Sequence, residues 1–456
     1  MTNATLSPAR TWLPVLSGET AARAVRIATD VAARLNDSQT LSAAVHAAMR
    51  QSSFPTTTRW DPSSIAQGHT GLAIMCGYLD ASLGDGSDAT AHRHLGIAAR
   101  AAEREWNRGA GIFSGYGGLV LAGWLLGRGG TRYEKLLGSL KTALLPQIAA
   151  SAQRLAGRAG MGFGEFDVIS GAAGIVAYLL PLREDPEVAS VLRALLGALV
   201  ALLAETGDEL PRWYTPPSML GDPKTVDQYP FGNLNCGLAH GIPGPLAALA
   251  LAQRDGVRVA GMEDALRRTA AWVADHRIED PWGVAWPYAV PLTGDDGVPR
   301  REAPDAAWRN GPSRSAWCYG SPGVARALWL AGDALGDDAL CALAVEAMEA
   351  VLRRPVHVRG IDAPTLCHGV GGVLAIMLRF AADTQLAVFA DGARALCDQI
   401  LAEYDSTALL GFRDLEPGNV RVDRPGLLDG AAGLVLVLLA AASEAEPAWD
   451  RLFMIS

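Results

Sequence analysis

The chain is poor in the features that most quickly betray a function. Cysteine is scarce, six in 456 residues, and no CxxC pair occurs, so neither a disulfide framework nor a simple zinc ribbon is written in it. In a reducing compartment such cysteines are free thiols, metal ligands or core residues. Positive charge is not in excess: the formal net charge is −9 and the pI is about 5.4. That argues against nucleic acid, whose phosphates demand concentrated Lys and Arg. The N-terminal MTNATLSPARTWLPVLSGE has no basic segment followed by an apolar run, so no secretory signal is visible. The most apolar runs, around 195–204 and 433–442, fall well short of the about 20 residues that span a bilayer. A cytoplasmic protein is expected, with peripheral attachment to a membrane in a larger complex left open.

Glycine is plentiful, 50 residues, and it is periodic. A Gly-x-x-Gly turn leading into an apolar run recurs seven times, beginning at Gly68, Gly115, Gly171, Gly241, Gly320, Gly369 and Gly430. Successive turns are roughly 47 to 79 residues apart, in or somewhat above the range of repeat proteins. The runs are rich in Leu and Ala and apolar on all sides, which reads as buried helices. Amphipathic stretches lie between them, at 134–155, 188–205, 262–275 and 335–353. The expectation is an all-α fold, an α/α toroid of seven inner and seven outer helices forming a single domain over 1–456. A closed ring would gather all seven turns at one end.

Two insertions, about 210–235 and 278–314, break the helical pattern with Pro, Gly and aromatics. They account for the two longest spacings. Short strands are expected in them, for instance at 283–288, and a position at the mouth of the ring.

Chemistry-bearing side chains gather at the turns. Cys318 stands two residues before Gly320, and Cys367-His368 directly before Gly369. Two thiols and an imidazole suit Zn²⁺ and leave a fourth coordination position open. The plain alternative is two small buried residues and a capping His. His240 precedes Gly241, and Asp167 lies four residues before Gly171. A neutral His can exchange a proton near pH 7; Asp167 reads first as a helix N-cap. Arg314 is a basin cation or a surface one, and Tyr319 a site residue or a buried, bonded phenol. Cys76, Cys341 and Cys397 read as core. Cys236 lies near His240 but does not share the offset of the other thiols from their turns. His69 reads as structural, and His46, His92, His94, His276 and His357 have no evident partner.

Taken together, the stretches Asn235-Cys236-Gly237-Leu238-Ala239-His240-Gly241, Arg314-Ser315-Ala316-Trp317-Cys318-Tyr319-Gly320 and Leu366-Cys367-His368-Gly369, with the sevenfold turn series, resemble the lanthionine synthetase C-like family, the LanC-type cyclases. The resemblance runs from about Gly68 to Ala442. It implies an α/α toroid with zinc at one end, held by Cys318, Cys367 and His368, and places His240, Tyr319, Arg314 and Asp167 near the metal. It implies a cyclase that adds peptide Cys thiolates to dehydroalanine or dehydrobutyrine, forming thioether rings in a lanthipeptide precursor. A separate dehydratase is then expected as partner. His240 would return the proton to the enolate, with Asp167 setting or sharing it and Arg314 and Tyr319 holding Asp167 or the enolate oxygen. Cys236 departs from the family pattern. Other readings are glutathione addition to dehydroamino acids in proteins, and a non-catalytic peptide-binding scaffold with structural zinc. A hydrolase on this architecture would need a carboxylate pair, and none is seen among the turns.

Overall fold

The computed structural model describes residues 12–105, 108–207, 210–295, 298–300 and 313–456. Residues 1–11 of the N-terminal stretch and 301–312 of the second insertion lie outside them. The helices in chain order are α1 (Gly18–Asn36), α2 (Ser38–Gln51), α3 (Pro55–Thr58), α4 (His69–Leu83), α5 (Asp88–Arg104), α6 (Gly117–Leu125), α7 (Glu134–Gly157), α8 (Ala172–Leu179) and α9 (Pro186–Leu202). They continue with α10 (Pro223–Gln228), α11 (Pro243–Arg254), α12 (Met262–Asp275), α13 (Ser321–Leu335), α14 (Asp338–Arg353), α15 (Val370–Thr384), α16 (Ala387–Ala402) and α17 (Ala431–Ala442).

The seven turns open α4, α6, α8, α11, α13, α15 and α17, and these are the inner helices. Their sequences leave no polar face: every residue of α8 and every residue of α17 from Ala431 to Ala441 is buried. Each inner helix packs on the next, and α17 packs back on α4, so the ring of contacts closes. The outer helices α5, α9, α12 and α16 each contact the two inner helices they lie between, while α7 packs on α6 and α9, and α14 on α13. The seventh outer helix comes from the start of the chain, where no motif was visible: α1 lies on α17 and α4 and covers the seam. The expected outer stretch at 335–353 is shorter than read. Gly336, in the left-handed region at φ +64°, ends α13 after Leu335, and Asp337 caps α14 by accepting from the N–H groups of Ala339 and Leu340. Likewise Asp185 caps α9 through Glu187 and Val188.

The turns are stitched to one another by main-chain hydrogen bonds. Phe113 N donates to Ile169 O, Val168 N to Ala239 O, Ala239 N to Cys318 O, Cys318 N to Cys367 O, Cys367 N to Leu428 O, and Leu427 N to Ala66 O. The residues two before each first glycine are therefore equivalent in space as well as in sequence. Gly320 has φ +103°, a backbone that an L side chain rarely adopts, and a Cβ there would run into the Arg314 carbonyl. Gly372 is needed for close approach: its Cβ would meet the Leu366 carbonyl and the Trp317 side chain.

The insertions supply short strands. β1 (Asn233–Asn235) pairs antiparallel with β4 (Ala289–Pro291), so the two insertions are joined to each other. β2 (Ile278–Asp280) and β3 (Gly283–Ala285) form one hairpin, and β5 (Thr293–Asp295) and β6 (Val298–Arg300) another. A hairpin the sequence did not announce, β7 (Asp414–Glu416) and β8 (Val420–Val422), precedes the last turn.

The ring has a filled centre. Ala445 O accepts from the Tyr78 hydroxyl of α4, Asp450 pairs with Arg379 of α15, and Ile455 O accepts from Arg326 of α13. The short 3₁₀ helix Ala448–Phe453 also packs on α6 and α8. Phe453 meets Trp317 and Phe113 ring to ring, at centroid distances of 5.0 and 5.9 Å. Among the described residues, no helix is long and apolar enough to cross a membrane.

Candidate metal centre and proton-transfer site

The turn end of the ring surrounds a cavity of about 670 Å³. It is lined by Ala66, Gln67, Phe113, Ser114, Ile169, Ala239, His240, Cys318, Tyr319, Cys367, His368, Leu428 and Asp429, with Tyr288 and Arg314 from the second insertion. Six of the seven sequence-derived candidates line it directly. The seventh, Asp167, reaches it through His240.

The two thiols sit on neighbouring turns, tied by the Cys318 N to Cys367 O bond. The Cys318 thiol hydrogen-bonds that of Cys367; this bond, then burial, holds the Cys367 thiol well above its ordinary range. Such a pair resists ionisation until a cation compensates it. His368 follows Cys367 in sequence and carries a carboxylate on either side of its ring. Nδ1 is 3.5 Å from Asp429 Oδ1, and Nε2 is 3.9 Å from Asp414 Oδ1. Ligand atoms of Cys367, His368 and Asp429 all lie within 4.8 Å of one another. That compact trio omits Cys318, whose tie is to Cys367.

Asp167 is the partner of His240 and not the helix cap: α8 starts from Gly171 without a side-chain cap, and Asp167 ties down the turn before it. Its Oδ1 accepts from the N–H groups of Ser170 and Gly171, at 2.8 and 2.9 Å. Its Oδ2 lies 2.6 Å from His240 Nδ1. Asp167 is only 1% exposed, and as a carboxylate it can only accept, so the proton sits on Nδ1 and leaves Nε2 to exchange one. Phe163 packs on the imidazole at 4.8 Å between ring centroids.

Arg314 and Tyr319 do not hold Asp167, as the sequence reading allowed. The Arg314 Nε–H donates to the Tyr288 hydroxyl at 3.1 Å, and the Tyr319 hydroxyl accepts from Asn235 Nδ2 at 3.0 Å. Burial, chiefly, raises the Tyr319 phenol above its usual range. Both side chains present to the cavity rather than to the carboxylate behind it.

The decoys fall away from the basin. Cys236 is buried, its thiol directed at the Leu234 carbonyl. Cys76 and Cys397 are buried, as read, and Cys341 is half-buried. His69 is structural, but His94 is not without a partner. His69 Nδ1 is 2.8 Å from His94 Nδ1, and His94 Nε2 is 3.0 Å from the Asn36 side-chain oxygen. Because that oxygen accepts, His94 donates from Nε2 and accepts from His69. Burial, mainly, lowers the two imidazoles to about 4 for His69 and about 3 for His94.

Sequence reasoning missed Asp429, Asp414 and Tyr288. Asp429 carries a signal: it stands directly before Gly430, as His240, Tyr319 and His368 stand before their own glycines. Asp414 and Tyr288 carry none, because they arrive on an unannounced hairpin and in an insertion. Two carboxylates thus flank His368, where none was seen among the turns; Asp414, the deeper one, is 3.3 Å from Arg424 Nε.

Residues 59–454 match the family model described as lanthionine synthetase C-like protein. The chain is 26% identical over 337 residues to "Nisin biosynthesis protein NisC" of Lactococcus lactis subsp. lactis, spanning 72% of each. It is similar to the solved structure "Nisin cyclase" with a TM-score of 0.69 and 22% identity, covering 91% of this chain and 97% of that one. The match takes in all seven turns and the segment that fills the ring, and the chain belongs to the lanthionine synthetase C-like family.

Proposed function

We propose that the chain is a lanthipeptide cyclase that joins cysteine sulfur to dehydrated Ser and Thr of a precursor peptide. The observation that carries this reading is the meeting of a thiol–thiol–imidazole set and a carboxylate-oriented histidine in one cavity. Cys318, Cys367 and His368 would hold zinc, and the donor types fit: two soft thiols and an imidazole are a zinc set, and the hydrogen-bonded thiol pair needs a cation to ionise. Zinc bound there supplies acidity, since a thiol that coordinates it loses its proton outright.

The protein's own groups do the rest. The cavity admits a short stretch of peptide and surrounds it with Tyr288, Tyr319 and Arg314. The thiolate sulfur bonds to the β-carbon of the dehydro residue while the π pair moves toward the α-carbon and carbonyl oxygen. His240, held by Asp167 through Nδ1, takes the substrate thiol's proton on Nε2 and then delivers it to the α-carbon. Arg314 faces the developing negative charge as a fixed donor. The substrate must already be dehydrated, so a separate dehydratase acts first. Thiols in the site suit a reducing compartment, and we place the reaction in the cytoplasm.

The test is a dehydrated precursor incubated with purified, zinc-loaded protein and then treated with a thiol-alkylating probe. Ring closure leaves the mass unchanged, so the probe does the reporting. Precursor cysteines become unreactive with wild type and stay reactive with Cys318→Ala. Cysteines that remain fully reactive with the wild-type protein sink the proposal.

A further inference from the structure

The sequence suggested three metal-holding side chains and an open fourth position. The seventh turn brings a carboxylate to that place. Asp429 sits beside Cys367-His368 because Cys367 N donates to Leu428 O, which fixes the two turns against each other. Its Oδ1 is 3.5 Å from His368 Nδ1, within the compact group formed with the Cys367 sulfur. That oxygen is buried and has no hydrogen-bond partner. A buried carboxylate oxygen has given up its hydration, and one left unbonded calls for an explanation. The other oxygen does not supply it: Oδ2 is 3.9 Å from Arg424 Nη1, a distance for attraction rather than a bond. Nor does the far side of His368, where Asp414 takes the Nε2 edge and leaves Nδ1 toward Asp429. Two independent facts, the ligand-scale grouping and the orphaned oxygen, point to a cation-holding role for this carboxylate.

We propose that Asp429 Oδ1 is a fourth metal-holding donor, beside Cys318, Cys367 and His368. This rests on the reading that those three residues hold zinc. The carboxylate is the odd donor of the set, hard where the thiols are soft. It is therefore the donor an incoming thiol replaces, and the position is guarded until substrate arrives. Asp414, 3.9 Å behind the Nε2 edge, attracts the imidazole without bonding it.

The experiment uses the full chain and the metal alone. Purified wild type, Asp429→Asn, Asp429→Glu and Cys318→Ala are titrated with Zn²⁺ against a chelator of known affinity, and their Co²⁺ forms are compared by visible absorption. Thermal unfolding of each apo-protein checks that the fold is kept. Asp429→Asn weakens zinc roughly 10- to 100-fold, the scale on which groups around a metal act, and changes the cobalt spectrum. Asp429→Glu keeps a carboxylate within reach and recovers part of the affinity. Zinc affinity in Asp429→Asn within threefold of wild type, with an unchanged cobalt spectrum, overturns the inference; if Cys318→Ala has lost its metal in the same series, the function proposed above stands. A Glu variant no tighter than the Asn variant also overturns it. If Cys318→Ala keeps wild-type affinity too, the metal reading itself falls.

Discussion

The seven turns share one backbone and divide into two halves by their side chains. At the two positions before the first glycine, turns one to three carry Ala66-Gln67, Phe113-Ser114 and Ile169-Ser170. Turns four to seven carry Ala239-His240, Cys318-Tyr319, Cys367-His368 and Leu428-Asp429. The main-chain bonds between turns enter both halves, running from turn two to turn seven and back to turn one. The scaffold is thus indifferent to what it displays, and the chemistry is an arc grafted on a symmetric collar. Fold and site should therefore break separately.

The largest expected effect is on the arc. His240→Asn removes the proton that we assign to the α-carbon, and thioether formation falls roughly 10²- to 10⁴-fold, while zinc content and thermal unfolding stay as in wild type. Rates from the alkylation assay and metal analysis of the same preparation check this. A His240→Asn protein that loses its zinc would erase the division of labour inside the arc.

A smaller effect tests the collar. Gly174→Ala and Gly372→Ala each put a Cβ against the carbonyl six residues earlier, Val168 in one half and Leu366 in the other. Each should lower stability by about 1–3 kcal/mol, the usual cost of overpacking, as read by denaturant unfolding. Unequal losses of more than about 2 kcal/mol would show that the two halves are not one scaffold.

The histidine pairs sharpen the same comparison. His240 faces a carboxylate, whereas His69 and His94 face each other beside Asn36 and Cys76, near Arg93 and Asp85. Both of the latter titrate below the 6.5 of a free imidazole. The unfolded chain then binds more protons as pH drops, so the stability associated with the neutral pair is whole above pH 6.5. It is lost as pH falls from 6.5 toward 3. With His94 buried and His69 half-buried, the loss between pH 7 and 5 should be on the order of 1–2 kcal/mol. Urea unfolding of wild type and His94→Asn at both pH values measures it, and the variant should show a flatter dependence.

Least affected is Tyr288→Phe, which removes the acceptor for Arg314 Nε. Ring formation should slow by less than about tenfold, since a single exposed hydrogen bond is worth about 1 kcal/mol. A larger loss would give the insertion a role beyond holding Arg314.

What could be read in advance follows from offset. The seven inner helices, Cys318, Cys367 and His368 are visible because each stands at a fixed distance from a glycine that its neighbours also have. Asp429 obeys the same rule, standing directly before Gly430, but a lone aspartate among thiols and an imidazole does not announce itself as a zinc donor. Asp414 and Tyr288 obey no rule of spacing; hairpin and insertion carry them in, and only tertiary packing reveals their address. The closing helix α1 was hidden for a related reason. Its partner α17 lies at the far end of the chain, and its own pattern is that of any amphipathic helix.

Phe113 lines the cavity on one face and meets Phe453 on the other. The thiols therefore stand on a floor, and the basin is a cup and not a tunnel. A chain served by a tunnel must be fed from an end. A chain served by a cup can dip in anywhere along its length, rise by the rim it entered, and return at another place. If the visitor is the precursor proposed above, the filled centre of the ring leaves the order of visits to it, with no threading direction imposed by the host.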